Sequence, residues 1–117
     1  WRNNGKILKA AFEVSHELGS GFIESVYKNA MVIALHEKGM KVEIEKPISV
    51  AFREQQVGHF FADLLVNDMV IVELKTVSQL APEHSAQVIN YLKATEIEVG
   101  LLINFGSPRI EYKRLHK

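Results

Sequence analysis

The chain has 117 residues with 14 Lys and Arg against 14 Asp and Glu, a formal charge of zero. That balance excludes a polycationic nucleic-acid binder of the usual kind, whose domain pI exceeds about 9. A content of 47% hydrophobic and 24% charged residues is that of a globular protein and not of a disordered tail, and the lack of cysteine excludes disulfide scaffolds, thiolate zinc sites and cysteine nucleophiles.

In chain order, Ile7, Leu8, Ala11, Phe12, Val14 and Leu18 follow helical spacing from Asn3 to Leu18, with Asn3 or Asn4 able to cap the start. Gly19-Ser20-Gly21 ends that helix. A second reads from about Phe22 to Lys38, with Gly39 as its stop. The period then switches from 3.6 to 2: Val42 and Ile44 form one half-buried strand, and Ile48, Val50 and Phe52 another beyond Pro47. Arg53 to Gln56 reads as a turn. Phe60 to Val66 and Met69 to Leu74 are nearly continuous apolar runs, the mark of central strands in a sheet covered on both faces.

Pro82 suits the first turn of a helix over about 83–94, with Val88, Ile89 and Leu92 as its apolar stripe. Val99 to Phe105 is a further buried strand, so residues 69–105 make a βαβ unit with parallel strands. Residues 110–114 read as an edge strand. The expectation is one mixed α/β domain over 1–117, order ααββββαββ, a central mixed sheet flanked by helices. No apolar run nears the roughly 18 residues that cross a bilayer and no signal-peptide pattern is present, so a reducing cytoplasm and no membrane partner are expected. The chain begins at Trp1 and not Met, which leads us to expect natural residues before it.

Polar residues inside apolar strands are informative, because a buried charge needs a partner. Asp63, Glu73 and Lys75 are such residues, and Glu73 and Lys75, two apart, share a face. A two-residue Asn67-Asp68 loop would set Asp63 opposite Val72. A three-residue loop, or one bulge, sets it opposite Glu73 with Cβ atoms roughly 5 Å apart, and this second register is the expectation. Two carboxylates beside a lysine suit metal-assisted phosphodiester hydrolysis: carboxylate oxygens hold Mg²⁺, which activates a water, and Lys75 orients that water or neutralises charge on phosphate. A buried carboxylate–lysine pair is the alternative, and it accounts for two of the three residues.

Asp63 followed by Glu73-Leu74-Lys75, after a helix carrying Glu24, resembles the PD-(D/E)XK nuclease superfamily, with Ala62 where that motif has proline. Gly21-Phe22-Ile23-Glu24-Ser25-Val26-Tyr27 is similar to the signature of the GxxExxY family, small bacterial and archaeal proteins placed in that superfamily. Glu17 to Gly21, Ala62 to Val66, Ile71 to Lys75 and Gly100 to Phe105 also look like this family, so the resemblance covers nearly the whole chain. It implies a PD-(D/E)XK nuclease-like core and a Mg²⁺- or Mn²⁺-dependent nuclease acting on DNA before RNA, with Asp63 and Glu73 as metal ligands. It also implies that Glu24 is a third acidic ligand, acting through water.

Gly21, Glu24 and Tyr27 would lie along one helix face, pointing Glu24 at the sheet while Tyr27 packs beneath it. Glu24 as an N-terminal capping residue is the alternative, and the two are compatible. Gln87 and Tyr91 give a QxxxY pattern similar to that of exonuclease-type members of the superfamily, where glutamine supports the site and tyrosine approaches it. A solvent-wet helix face would explain the same pair. His84 lies on that face.

Gly19-Ser20-Gly21 follows a helix and lacks the P-loop Lys-Ser/Thr, and the five histidines show no HExxH or paired zinc spacing. The last nine residues hold four of the 14 basic and one of the 14 acidic residues. Arg109, Lys113 and Arg114 among them could meet a phosphate backbone, or serve as an edge charge that discourages aggregation. The rival to a nuclease is a catalytically silent binding or assembly module on the same fold, as a homodimer or an accessory to a larger complex.

Overall fold

A computed structural model describes residues 2–117, with side chains from Asn4 onward. The elements are α1 (Arg2–Leu18), α2 (Glu24–Glu37), β1 (Val42–Phe52), β2 (Gln55–Val66), β3 (Val70–Lys75), α3 (Pro82–Lys93), β4 (Val99–Asn104) and β5 (Glu111–His116). The five strands form one sheet in the order β1-β2-β3-β4-β5. β3 and β4 run parallel and the other neighbours antiparallel, so the expected βαβ unit and edge strand are both present.

The helices form because their apolar residues recur on one face and find the sheet. Ile7, Ala10, Ala11 and Val14 of α1 and Tyr27, Met31, Ala34 and Leu35 of α2 are buried against Leu64, Val66, Val70, Val72 and Leu74 on one side. α2 ends with Gly39 N–H donating to the His36 carbonyl and Met40 N–H to that of Leu35, which buries Met40 in the same core. On the other side Tyr91 and Leu92 of α3 pack with Ile48, Ala62, Leu65 and Ile71. Asn4 lies inside α1 and does not cap it; the side chain of Asn3 lies outside the described residues.

The structure corrects three expected element boundaries. β1 is one strand of 11 residues, so the order is ααβββαββ. Pro47 does not divide it because β1 is the sheet's edge, where a missing N–H costs no ladder bond. The turn is Arg53-Glu54 alone, both at positive φ, and β2 begins at Gln55. α2 starts at Glu24, leaving Gly21, Phe22 and Ile23 in the connection.

β2 pairs with β1 almost throughout, but with β3 only from Leu64 to Val66. The first half of the β1–β2 hairpin therefore projects as an arm past β3. Phe60 and Phe61 stand on it half-exposed, not in the core their apolar run suggested. Side-chain alternation also slips where arm and sheet meet. Leu64 and Val66 face α1 and α2, yet Ala62, an even number of residues away, packs on the α3 side. Ile48 has likewise changed sides relative to Val42. Between the flanking pairs Ile44–Leu64 and Lys46–Ala62 sit Glu45 and Asp63, and Glu45 takes a left-handed φ of 52°. That doubled irregularity is the slip.

Candidate active site at the parting of two strands

The loop between β2 and β3 decides the site. Asn67 and Asp68 both adopt left-handed φ, Met69 N–H donates to the Val66 carbonyl, and Met69 is an extra residue before Val70. Val66 therefore pairs with Val70 and Leu64 with Val72, and the next step in that register sets Asp63 across from Glu73, as expected. There the backbone ladder stops. Asp63 N–H donates to Glu73 Oε1 at 2.7 Å, and Leu74 N–H donates to Asp63 Oδ2 at 2.8 Å.

Glu73 is 4% exposed. Burial first, and the Asp63 carboxylate second, push its carboxyl from the ordinary 4.5 to about 8, against the Asp63 N–H bond and Lys75, which favour the charged form. Glu24, at the first position of α2, is raised for the same two reasons, burial and then Asp63, with Lys75, Lys28 and His84 opposing. Glu24, Asp63, Glu73 and Lys75 thus lie within one another's electrostatic reach, drawn from α2, β2 and β3.

Tyr91 is raised by burial and by Glu73, while the amide of Gln87 donates to its hydroxyl at 3.1 Å. The pair expected from the sequence is thus joined by a hydrogen bond, and Tyr91 lies within electrostatic reach of Glu73. His84 takes a different part: its Nδ1 accepts from Ala81 N–H and caps α3.

Tyr27 explains the spacing Gly21, Glu24, Tyr27 by a route other than a shared helix face. Its ring is fully buried and stacks on Phe105 at 4.7 Å. Its hydroxyl donates to the Gly19 carbonyl at 2.6 Å and accepts from Phe22 N–H at 3.2 Å. Gly21 lies between these anchors at φ 117°, a conformation L side chains rarely adopt. The connection is clamped at both ends, and α2 starts with Glu24 over the sheet. No side chain caps α2, so Glu24 stays free of the capping bond.

Two residues escaped the sequence reading. Lys28, one turn after Glu24, binds Glu45 at 2.8 Å and reaches to 4.0 Å from Asp63 Oδ1; the i,i+4 spacing from Glu24 could have flagged it. Glu45, in its left-handed conformation, carried no sequence signal. Buried Asn104 pins the connection after Lys75. Its Oδ1 accepts from Val77 and Gly106 N–H, and its Nδ2 donates to the Val77 carbonyl and to Glu111. Gly106 comes so close that an added Cβ would lie 2.3 Å from the Val77 carbonyl oxygen.

The three C-terminal cations are not gathered. Lys113 pairs with Leu102, which pairs with Glu73, so it shares the Glu73 face two strands away. Arg114 points to the opposite face, beside His116 at 2.6 Å. Arg109 is exposed in the loop before β5, whose first residue, Glu111, pairs with Asn104 beside Lys75.

The family model of the PD-(D/E)XK nuclease superfamily matches residues 2–115, and the chain belongs to that superfamily. Its nucleases generally use divalent metals. No curated protein is significantly similar to the chain. The crystal structure of SSO0001 matches with a TM-score of 0.60 at 16% identity, covering 80% of this chain and 50% of that one. Such identity shows the fold alone, and the match spans half of that protein's length.

The donor set fits a hard divalent cation. Two carboxylates meet across the strands, and burial first and the Asp63 charge second oppose ionisation of Glu73, an opposition that a dication at the pair would relieve. Among the described residues no group of three or more acidic or histidine side chains is placed to hold an ion, so Glu24, Asp63 and Glu73 do not converge as the three-carboxylate set expected from the sequence.

Proposed function

We propose that the chain is a nuclease that hydrolyses phosphodiester bonds, DNA before RNA, with Mg²⁺ or Mn²⁺ as cofactor. The observation that carries this reading is the Asp63–Glu73 pair, opposed across two strands at the point where their backbones part, with Lys75 beside it on the same face. Asp63 and Glu73 hold the ion, and Glu24 reaches it through water. When bound, the ion supplies Lewis acidity and a water of lowered pKa.

Lys75 orients the attacking water and meets charge growing on the phosphate. Tyr91, braced by Gln87, lines the approach, and Tyr27 fixes the start of α2 from beneath. Lys113 contacts the phosphate backbone on the Glu73 face and Arg109 does so from the loop before β5, whereas Arg114 faces away. The Gly21, Glu24, Tyr27 signature supports placement in the GxxExxY family, and the cysteine-free composition suits a reducing cytoplasm. Zero net charge and divided cations imply modest intrinsic affinity, which a second copy or an accessory protein would supplement.

The test is cleavage of single- and double-stranded DNA and of RNA in Mg²⁺ or Mn²⁺. Cleavage by the native protein that Glu73→Ala and Asp63→Ala each abolish is the expected result. Activity surviving both substitutions, or no cleavage together with no Mn²⁺ uptake by calorimetry, overturns it in favour of a silent module.

A further inference from the structure

Between the β1–β2 arm and α3 runs a groove of about 840 Å³, lined in part by Ser49, Phe60, Gln87, Asn90, Tyr91 and Lys93. Its volume falls in the range of sites that enclose organic ligands. It adjoins the candidate site through Tyr91, which lines the groove and packs with Ala62 beside Asp63. Phe60 is 46% exposed, and its ring centroid lies 5.9 Å from that of Tyr91.

A duplex is gripped chiefly through its phosphates, by rows of cations. This groove has one cation, Lys93, offset by Glu83. It has instead an aromatic platform, a hydroxyl at Ser49, and amides at Gln87 and Asn90 that can both donate and accept. Stacking surface with adaptable hydrogen-bonding edges is the chemistry that recognises an unpaired base, whose π-face and Watson–Crick edge a duplex conceals.

We infer that this groove binds single-stranded nucleic acid, with a base stacked on Phe60 and its edge met by Asn90 and Gln87, and so selects unpaired over paired substrate. The inference deepens the nuclease reading and rests on it for the strand's onward path to Asp63 and Glu73. The slip in alternation at Glu45 and Asp63 supports it from the side of the fold, since that slip turns Phe60 toward α3.

The test is fluorescence anisotropy in EDTA, where nothing is cut, with labelled dT12, dA12, U12 and a 12-base-pair duplex. We expect the native protein to bind single strands more tightly than the duplex. Phe60→Ala should weaken single-strand binding about tenfold and leave duplex binding unchanged, and Phe60→Trp should restore it. dT12 and U12 separate DNA from RNA as the source of the base.

Equal binding of single strand and duplex, no measurable single-strand binding, or an unchanged affinity in Phe60→Ala overturns the inference. Because Phe60 is half-exposed, its variants fold, and circular dichroism checks this. Single-strand binding with neither cleavage nor Mn²⁺ uptake would refute the nuclease reading and leave the groove assigned. Cleavage without strand preference would do the reverse.

Discussion

Asp63 and Glu73 face each other across β2 and β3, Asp63 N–H donating to Glu73 Oε1 while Asp63 Oδ2 accepts from the N–H of the next residue, Leu74. Two carboxylates thus replace rungs of a backbone ladder, and the strands part where chemistry needs room.

That arrangement costs stability as pH rises. In the unfolded chain Glu73 ionises near 4.5, whereas in the fold it keeps its proton to about 8, so the folded state binds more protons throughout that window. Stability of the metal-free protein should be greatest below 4.5 as far as Glu73 is concerned, and should fall through the window by a few kcal/mol. Urea unfolding in EDTA from pH 5 to 9 checks this, and Glu73→Gln should flatten the profile. Because a dication competes with the proton, Mn²⁺ should raise Tm more at pH 8.5 than at 5.5.

Lys28 stands 4.0 Å from Asp63 Oδ1, a positive charge beside an oxygen that the metal reading assigns to the ion. Lys28→Met should strengthen Mn²⁺ binding several-fold by removing that competitor. Calorimetry at low salt measures it, and weaker binding would mean that Lys28 instead keeps Asp63 in place.

Tyr27→Phe should destabilise the fold by about 1–3 kcal/mol, because Phe22 N–H and the Gly19 carbonyl both lose the hydroxyl. The stacked ring on Phe105 is kept, so the loss reports the hydroxyl alone. Denaturant midpoints measure the cost. Cleavage should fall further than stability does, since the clamp sets where Glu24 begins α2.

Asn104→Leu keeps the volume but strands Val77, Gly106 and Glu111, and should cost more than about 3 kcal/mol. Amide exchange at Val77 and Gly106 should quicken markedly. Unchanged exchange there would show that backbone packing alone holds the connection between β3 and α3.

Much of this was legible in the chain. Apolar spacing locates the three helices, and charged residues interrupting apolar strands single out Asp63, Glu73 and Lys75. Even the register followed, because only an odd loop lets those carboxylates meet. What sequence could not carry was backbone conformation that ordinary residues adopt against preference. Glu45, Arg53 and Glu54 take left-handed φ without being glycine, so the slip and the short turn had no signature. Pro47 misled for a related reason, since its effect depends on whether the strand is an edge, a property of the assembled sheet. Arg109, Lys113 and Arg114 read as one basic segment because adjacency in sequence conceals that neighbours on a strand point apart.

The slip at Glu45 and Asp63 makes the arm a matter of counting. Inserting or deleting one residue between Lys46 and Ile48, or between Phe60 and Ala62, would turn Ile48 or Phe60 to solvent, whereas nearer the tip the arm already absorbs one unmatched residue where the register shifts between Val50 and Ala51. The residue count is therefore constrained beside the slip, where Ile48 and Ala62 enter the core, and is relaxed toward the tip.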